Sequence, residues 1–111
     1  MVGSSRSLAY SMSKSMIDQF TRCVALDLAP KQVRVNSVNP GIILTEMVRN
    51  IVPAEHLDAF MRETYKIYPL GKVAEAVDVA KMIAFLASSE CSFTTGTRNT
   101  VDSGFHVACP R

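Results

Sequence analysis

Long apolar runs are missing from this 111-residue chain; the longest, residues 82–87, is far too short to cross a bilayer. The first seven residues lack the apolar middle of a secretory signal. Clustered positive charge is also lacking. The net charge is +2, and Arg22, Lys31, Arg34, Arg49, Lys66, Lys72 and Lys81 are scattered, so no track for a phosphate backbone forms and nucleic acid is not an expected partner. Cysteine is scarce. Cys23, Cys91 and Cys109 are odd in number and have no metal-ligand spacing, which predicts no metal site and free thiols in a reducing, cytoplasmic setting. A Gly-x-Ser-x-Gly elbow is absent, and His56 and His106 have no nucleophile at recognisable spacing, so a serine hydrolase is disfavoured. The chain shows no internal repeat and no low-complexity stretch.

What remains is a composition of 48% hydrophobic and 20% charged residues, sufficient for one small folded domain. Residues 10–28 contain no Gly or Pro and are closed by Pro30, which predicts a helix. Ile17, Phe20, Val24 and Leu28 form one stripe at helical spacing, with Met12, Met16 and Cys23 beside it. This wide apolar arc predicts burial on more than one side. Residues 33–38 alternate valines with Arg34 and Asn36, the period of a strand, and Asn39-Pro40-Gly41 ends it. Residues 46–68 read as two short helices broken at Pro53, with Pro53 in the first turn of the second and Leu57, Phe60, Met61 and Tyr65 on its apolar face. Residues 74–87 form a further helix and residues 97–101 a last strand. The alternation predicts α/β architecture with a parallel sheet. Two strands alone are few for such a sheet, which points to an incomplete fold.

Tyr10 and Lys14 lie four apart, so a helix places them on one face. A free phenol titrates near pH 10, and a neighbouring ammonium favours its ionised form; such a phenol can exchange a proton with a substrate oxygen. Tyr68 and Lys72 have the same spacing, but Pro69 and Gly71 intervene, so they cannot share a regular helix. The segment from Pro40 to Thr45 leaves the carboxyl end of a strand, where open α/β sheets bind ligands.

A Tyr-x-x-x-Lys helix, then Val-Arg-Val-Asn-Ser-Val-Asn-Pro-Gly, then Thr45, resembles the short-chain dehydrogenase/reductase family. Pro69-Leu70-Gly71-Lys72, Phe85-Leu86-Ala87-Ser88, Thr95-Gly96 and Val101-Asp102-Ser103-Gly104 continue the likeness, which spans nearly the whole chain from Ala9 onward. The resemblance implies the C-terminal portion of a doubly wound, Rossmann-like parallel-sheet fold, with residues 1–111 as the C-terminal half of one domain. It implies that Tyr10 is the catalytic acid/base, and that Lys14 tunes it and hydrogen-bonds the nicotinamide ribose. Backbone near Ile43, just past Pro40 and Gly41, would meet the nicotinamide carboxamide, and Thr45 the adjoining phosphate region. Residues 46–68 would be the substrate lid. The implied cofactor is NAD or NADP, the substrate a small carbonyl or secondary alcohol, and the full-length form a homodimer or homotetramer.

Three departures stand against that pattern. The family's Gly-rich pyrophosphate turn has no counterpart here. The position of the catalytic Ser falls before Met1, and the spacing of Ser4, Ser5 and Ser7 does not fit it. Ser103 stands where the family usually has Gly. The expectation is a chain cut off from most of its cofactor-binding half and inactive by itself. The alternative is a non-catalytic, truncated interaction or oligomerisation module.

Overall fold

The computed structural model describes residues 8–108; Ser4, Ser5, Ser7 and Cys109 lie outside the described residues. The elements are α1 (Leu8–Leu28), β1 (Ser37–Pro40), α2 (Glu46–Ile51), α3 (Ala54–Ile67), α4 (Ala76–Ala87) and β2 (Arg98–Val101). Short 3₁₀ turns occupy Ala29–Lys31, Ser89–Cys91 and Phe105–Val107. Ser37 N–H donates to the Thr97 carbonyl and Gly41 N–H to that of Val101, both at 2.9 Å. Partners therefore advance together along both strands, and the pairing is parallel. The chain forms two compact units, Met1–Val38 with Ala84–Asn99, and Asn39–Ile83 with Thr100–Arg111.

In the first unit, α1 runs uninterrupted until Pro30, after which Gln32 turns the chain with a left-handed φ of 58°. The face it buries differs from the expected stripe. Thr21 and Ala25 are buried, whereas Ile17 and Phe20 are 47% and 64% exposed. Ala25 faces Gly96, where an added Cβ would lie 3.5 Å from the Ala25 methyl, an ordinary van der Waals contact. Thr21 Oγ1 is satisfied by the Ile17 carbonyl at 2.9 Å.

The expected strand over residues 33–38 begins later, at Ser37. Upstream of it the groups bond to irregular chain instead of a ladder. Val35 N–H donates to Thr95 Oγ1, and the Val35 carbonyl accepts Gly96 N–H. The Arg34 guanidinium reaches the carbonyls of Leu86 at 2.6 Å and Ser88 at 3.2 Å, capping the end of α4. A cation on terminal carbonyls complements the negative end of a helix dipole. Asn36 bonds Thr97 through its Oδ1 and the Thr94 carbonyl through its Nδ2.

In the second unit, Pro53 is the N-cap of α3 and stands just outside its first turn. Met61 and Thr64 are buried along α3, and Tyr68 after it is only 3% exposed. The helix expected from residue 74 begins at Ala76, because Ala74 is extended in a parallel bridge with Ile43. Asp78 then accepts Glu75 N–H at 2.9 Å, satisfying a donor at the α4 N-terminus.

The exit of β2 is the densest part of this unit. Asp102 is buried and its carboxylate accepts Gly104 N–H, His106 N–H and His106 Nδ1, at 3.0, 2.9 and 3.0 Å. Burial pushes this carboxyl up, but the hydrogen bonds from His106 and Gly104 and the charge of His106 hold it below the ordinary value of 3.8. Ser103 follows in the left-handed region, φ 57°, with a buried hydroxyl that has no hydrogen-bond partner among the described residues. This backbone conformation costs a non-glycine residue about 1–2 kcal/mol, a physical reason for the glycine that the family resemblance leads one to expect there. Gly41 abuts Asp102: a Cβ on Gly41 would lie 2.8 Å from Asp102 Cβ and 3.0 Å from its Cα.

Two outcomes follow from this packing. Gly41→Ala places a methyl into occupied space and should destabilise the chain by about 1–3 kcal/mol, read from denaturant midpoints. Asp102 has a depressed folded pKa, so its contribution is complete above the unfolded value and is lost as pH falls through the folded one. Stability measured from neutral pH into acid should therefore fall below about pH 4, and Asp102→Asn should flatten that part of the profile.

Candidate functional site

Two groups of residues carry the expected chemistry, one in each compact unit. On α1 of the first unit, the helical repeat brings Lys14 onto the face of Tyr10. The ammonium Nζ lies 5.3 Å from the centroid of the Tyr10 ring, inside the range of a cation–π contact. Tyr10 is 60% exposed, so its phenol is open to a reacting partner, while Lys14 is half-buried. Ser13 Oγ donates to the Tyr10 carbonyl at 2.7 Å and ties down the first turns of the helix. The arrangement offers a phenolic O–H for proton exchange and a fixed positive charge at its ring.

In the second unit, Pro40 ends β1 and contributes no donor to the ladder. Gly41 N–H is spent on the Val101 carbonyl, which joins the turn to the end of β2. The next donor, Ile42 N–H, goes to the Tyr68 hydroxyl at 2.9 Å. Ile43 pairs with Ala74 in the isolated parallel bridge. Thr45 is exposed at the start of α2, and its side chain makes no capping hydrogen bond. The structure thus brings Pro40, Gly41, Ile43 and Thr45 together on one braced segment.

Beside this segment, Leu44 opens on two shallow cavities of about 280 and 350 Å³. Met61 and Tyr65 of α3 line both, with Val73 and Ala74 in one and Leu57 and Arg62 in the other. The helical insert of residues 46–68 therefore walls recesses adjoining the turn. Among the described residues, no three His, Cys, Asp or Glu side chains converge as metal ligands.

Three residues that hold the turn escape the sequence pattern. Tyr68 has no helical partner in Lys72, which lies across a proline; its actual partner is a backbone amide 26 residues earlier. Asp102 and His106 form a close pair, the ring Nδ1 3.0 Å from the carboxylate. Nδ1 must carry the proton there, since a carboxylate only accepts. The one sequence signal is the spacing of four between Asp102 and His106, which carries weight only once the 3₁₀ turn at Phe105–Val107 is known.

Comparison with known proteins places these features in a family. The family profile described as Enoyl-(Acyl carrier protein) reductase matches residues 1–106. Cyclopentanol dehydrogenase of Comamonas testosteroni is 39% identical over 106 residues, covering 95% of this chain and 41% of that protein. Carbonyl reductase [NADPH] 2 of Sus scrofa is 37% identical over 97 residues, covering 87% of this chain and 38% of its own length. A crystal structure of a short chain dehydrogenase family protein from Francisella tularensis superposes with a TM-score of 0.85 at 32% identity, over 96% of this chain and 47% of that one. The chain therefore spans less than half the length of the relatives it matches, and its two parallel strands are an incomplete Rossmann-like sheet. On this likeness, and on a fold that carries both motif groups, the chain belongs to the short-chain dehydrogenase/reductase family of NAD(P)-dependent oxidoreductases.

Proposed function

We propose that this chain supplies the proton-transfer and nicotinamide-end residues of an oxidoreductase that interconverts a carbonyl and a secondary alcohol. The observation that carries the reading is the Lys14 ammonium lying 5.3 Å from the centre of an accessible Tyr10 ring. A phenol beside a fixed cation is suited to giving a proton to a carbonyl oxygen as it becomes an alkoxide, because the cation stabilises the charge left on the ring oxygen. Each segment by itself carries groups suited to part of a nicotinamide nucleoside: on α1 the Lys14 ammonium for ribose hydroxyls, and on the turn the backbone near Ile43 for a carboxamide and the uncapped Thr45 hydroxyl for a phosphate oxygen. Bound, that cofactor supplies the hydride.

Tyr10 delivers or accepts the proton at the substrate oxygen. Lys14 holds its charge at the ring. Pro40 and Gly41 shape the segment that presents Ile43 and Thr45, and residues 46–68 form the lid whose recesses beside Leu44 take the remainder of the substrate. Either NAD or NADP serves this end of the site, since the two differ at the distant adenosine ribose. Cys23 and Cys91 are free thiols, which supports a reducing compartment such as the cytoplasm. Met12, Met16, Phe20 and Leu26 of α1 are 56–76% exposed, an apolar surface that supports self-association of the longer form.

The 111 residues contain no Gly-rich pyrophosphate turn, so grip on the cofactor rests on its nicotinamide end. The chain by itself should show no turnover when nicotinamide absorbance is followed with a panel of carbonyls; clear turnover abolished by Tyr10→Phe would contradict this. Weak binding should nonetheless be visible. NADH titrated into the isotopically labelled chain at millimolar levels should shift the NMR signals of Lys14, Ile43 and Thr45. Shifts confined to other residues would sink the proposed site.

A further inference from the structure

The Ile42 amide bonds to a side chain that neither the family motifs nor the proposed chemistry employs. Tyr68 caps the end of α3 in extended conformation, is 3% exposed, and accepts Ile42 N–H at 2.9 Å. Its position is over-determined. The ring stacks on Phe105, with centroids 5.1 Å apart and planes 18° from parallel. Its carbonyl accepts Gly71 N–H at 2.7 Å, and Leu70 N–H donates to the Ser103 carbonyl. Gly41 meets the hydroxyl directly: a Cβ there would stand 3.2 Å from the Tyr68 oxygen.

A peptide unit is planar, so fixing the Ile42 N–H direction also fixes the Gly41 carbonyl, which points the opposite way. Gly41 is thus clamped on one side by the Val101 carbonyl and on the other, through the Ile42 amide, by Tyr68. Only the backbone torsions of Ile42 separate this clamp from Ile43. From this geometry we infer that Tyr68 is a positioning residue for the nicotinamide cofactor, acting through the backbone of the turn that presents Ile43. The inference rests on the reading of Ile43 and Thr45 as cofactor contacts.

Phenylalanine keeps the stacked ring and removes only the acceptor, so Tyr68→Phe isolates the hydroxyl. Three measurements on the whole chain separate the outcomes: thermal unfolding, amide hydrogen exchange at Ile42, and NADH affinity from the NMR shifts of Ile43 and Thr45. In Tyr68→Phe, Ile42 exchange should accelerate and the NADH dissociation constant should rise about three- to tenfold, because binding must then order a turn that one net hydrogen bond no longer holds. Phe105→Leu, which removes the stack and keeps the hydroxyl, should lower the unfolding temperature and leave NADH affinity unchanged. Equal NADH affinity in Tyr68→Phe and wild type overturns the positioning role alone. A Tyr68→Phe chain that does not fold also overturns it, because the hydroxyl would then serve the fold. A wild-type chain whose Ile43 and Thr45 signals ignore NADH overturns the cofactor reading, and the positioning role with it.

Discussion

The contact between the bare Cα of Gly41 and the backbone of Asp102 is the constraint from which the second unit is built. Only a residue without a Cβ admits this approach, since an added methyl would overlap Asp102 at 2.8 Å. The closeness lets Gly41 N–H reach the Val101 carbonyl and brings Ile42 N–H to the Tyr68 hydroxyl. Asp102 must in turn be immobile. Its buried carboxylate is made so by three donors from Gly104 and His106, a set strong enough to outweigh the desolvation that burial imposes. A turn built in this way holds Ile43 and Thr45 on a rigid support, as the proposed carboxamide-binding role requires.

The first unit solves a different problem with the same economy of side chains. The buried residues of α1, Thr21 and Ala25, are small, Ala25 packs beside Gly96, and polar bonds take the place of bulk. Arg34 serves the carbonyls that α4 leaves open at its end, a role for which a planar guanidinium with several donors is suited and a lysine is not. The larger apolar side chains of α1 are left on the outside, with Met16 and Phe20 more than 60% exposed. An exposed apolar surface of this kind favours being covered, and a chain that spans less than half of its relatives has fewer elements of its own to cover it.

Much of the local geometry of the candidate site is legible in the residues alone. Tyr10 and Lys14 share a face because helical geometry dictates it at a spacing of four, and no tertiary contact is needed. Pro40-Gly41 ends a strand because proline lacks the donor. Pro53 divides residues 46–68 into two helices for a related reason, although it stands one position outside the helix whose first turn its sequence position suggests. Boundaries moved where long-range bonds competed with local pattern. Residues 33–36 have a strand's alternation, yet they bond to Thr94, Thr95, Gly96 and the end of α4, so the ladder starts at Ser37.

Local sequence determined the helices, the breaks between them and the pairing of a phenol with an ammonium, because each depends on interactions within about one turn of chain. Tertiary structure alone decided which face of α1 is buried, that Tyr68 braces Ile42 across 26 residues, and that Asp102 is a buried anchor rather than a turn residue. Those outcomes depend on how closely two distant backbones can approach. At Gly41 that distance is set by the absence of a methyl group, whose effect appears only when the other chain segment is in place.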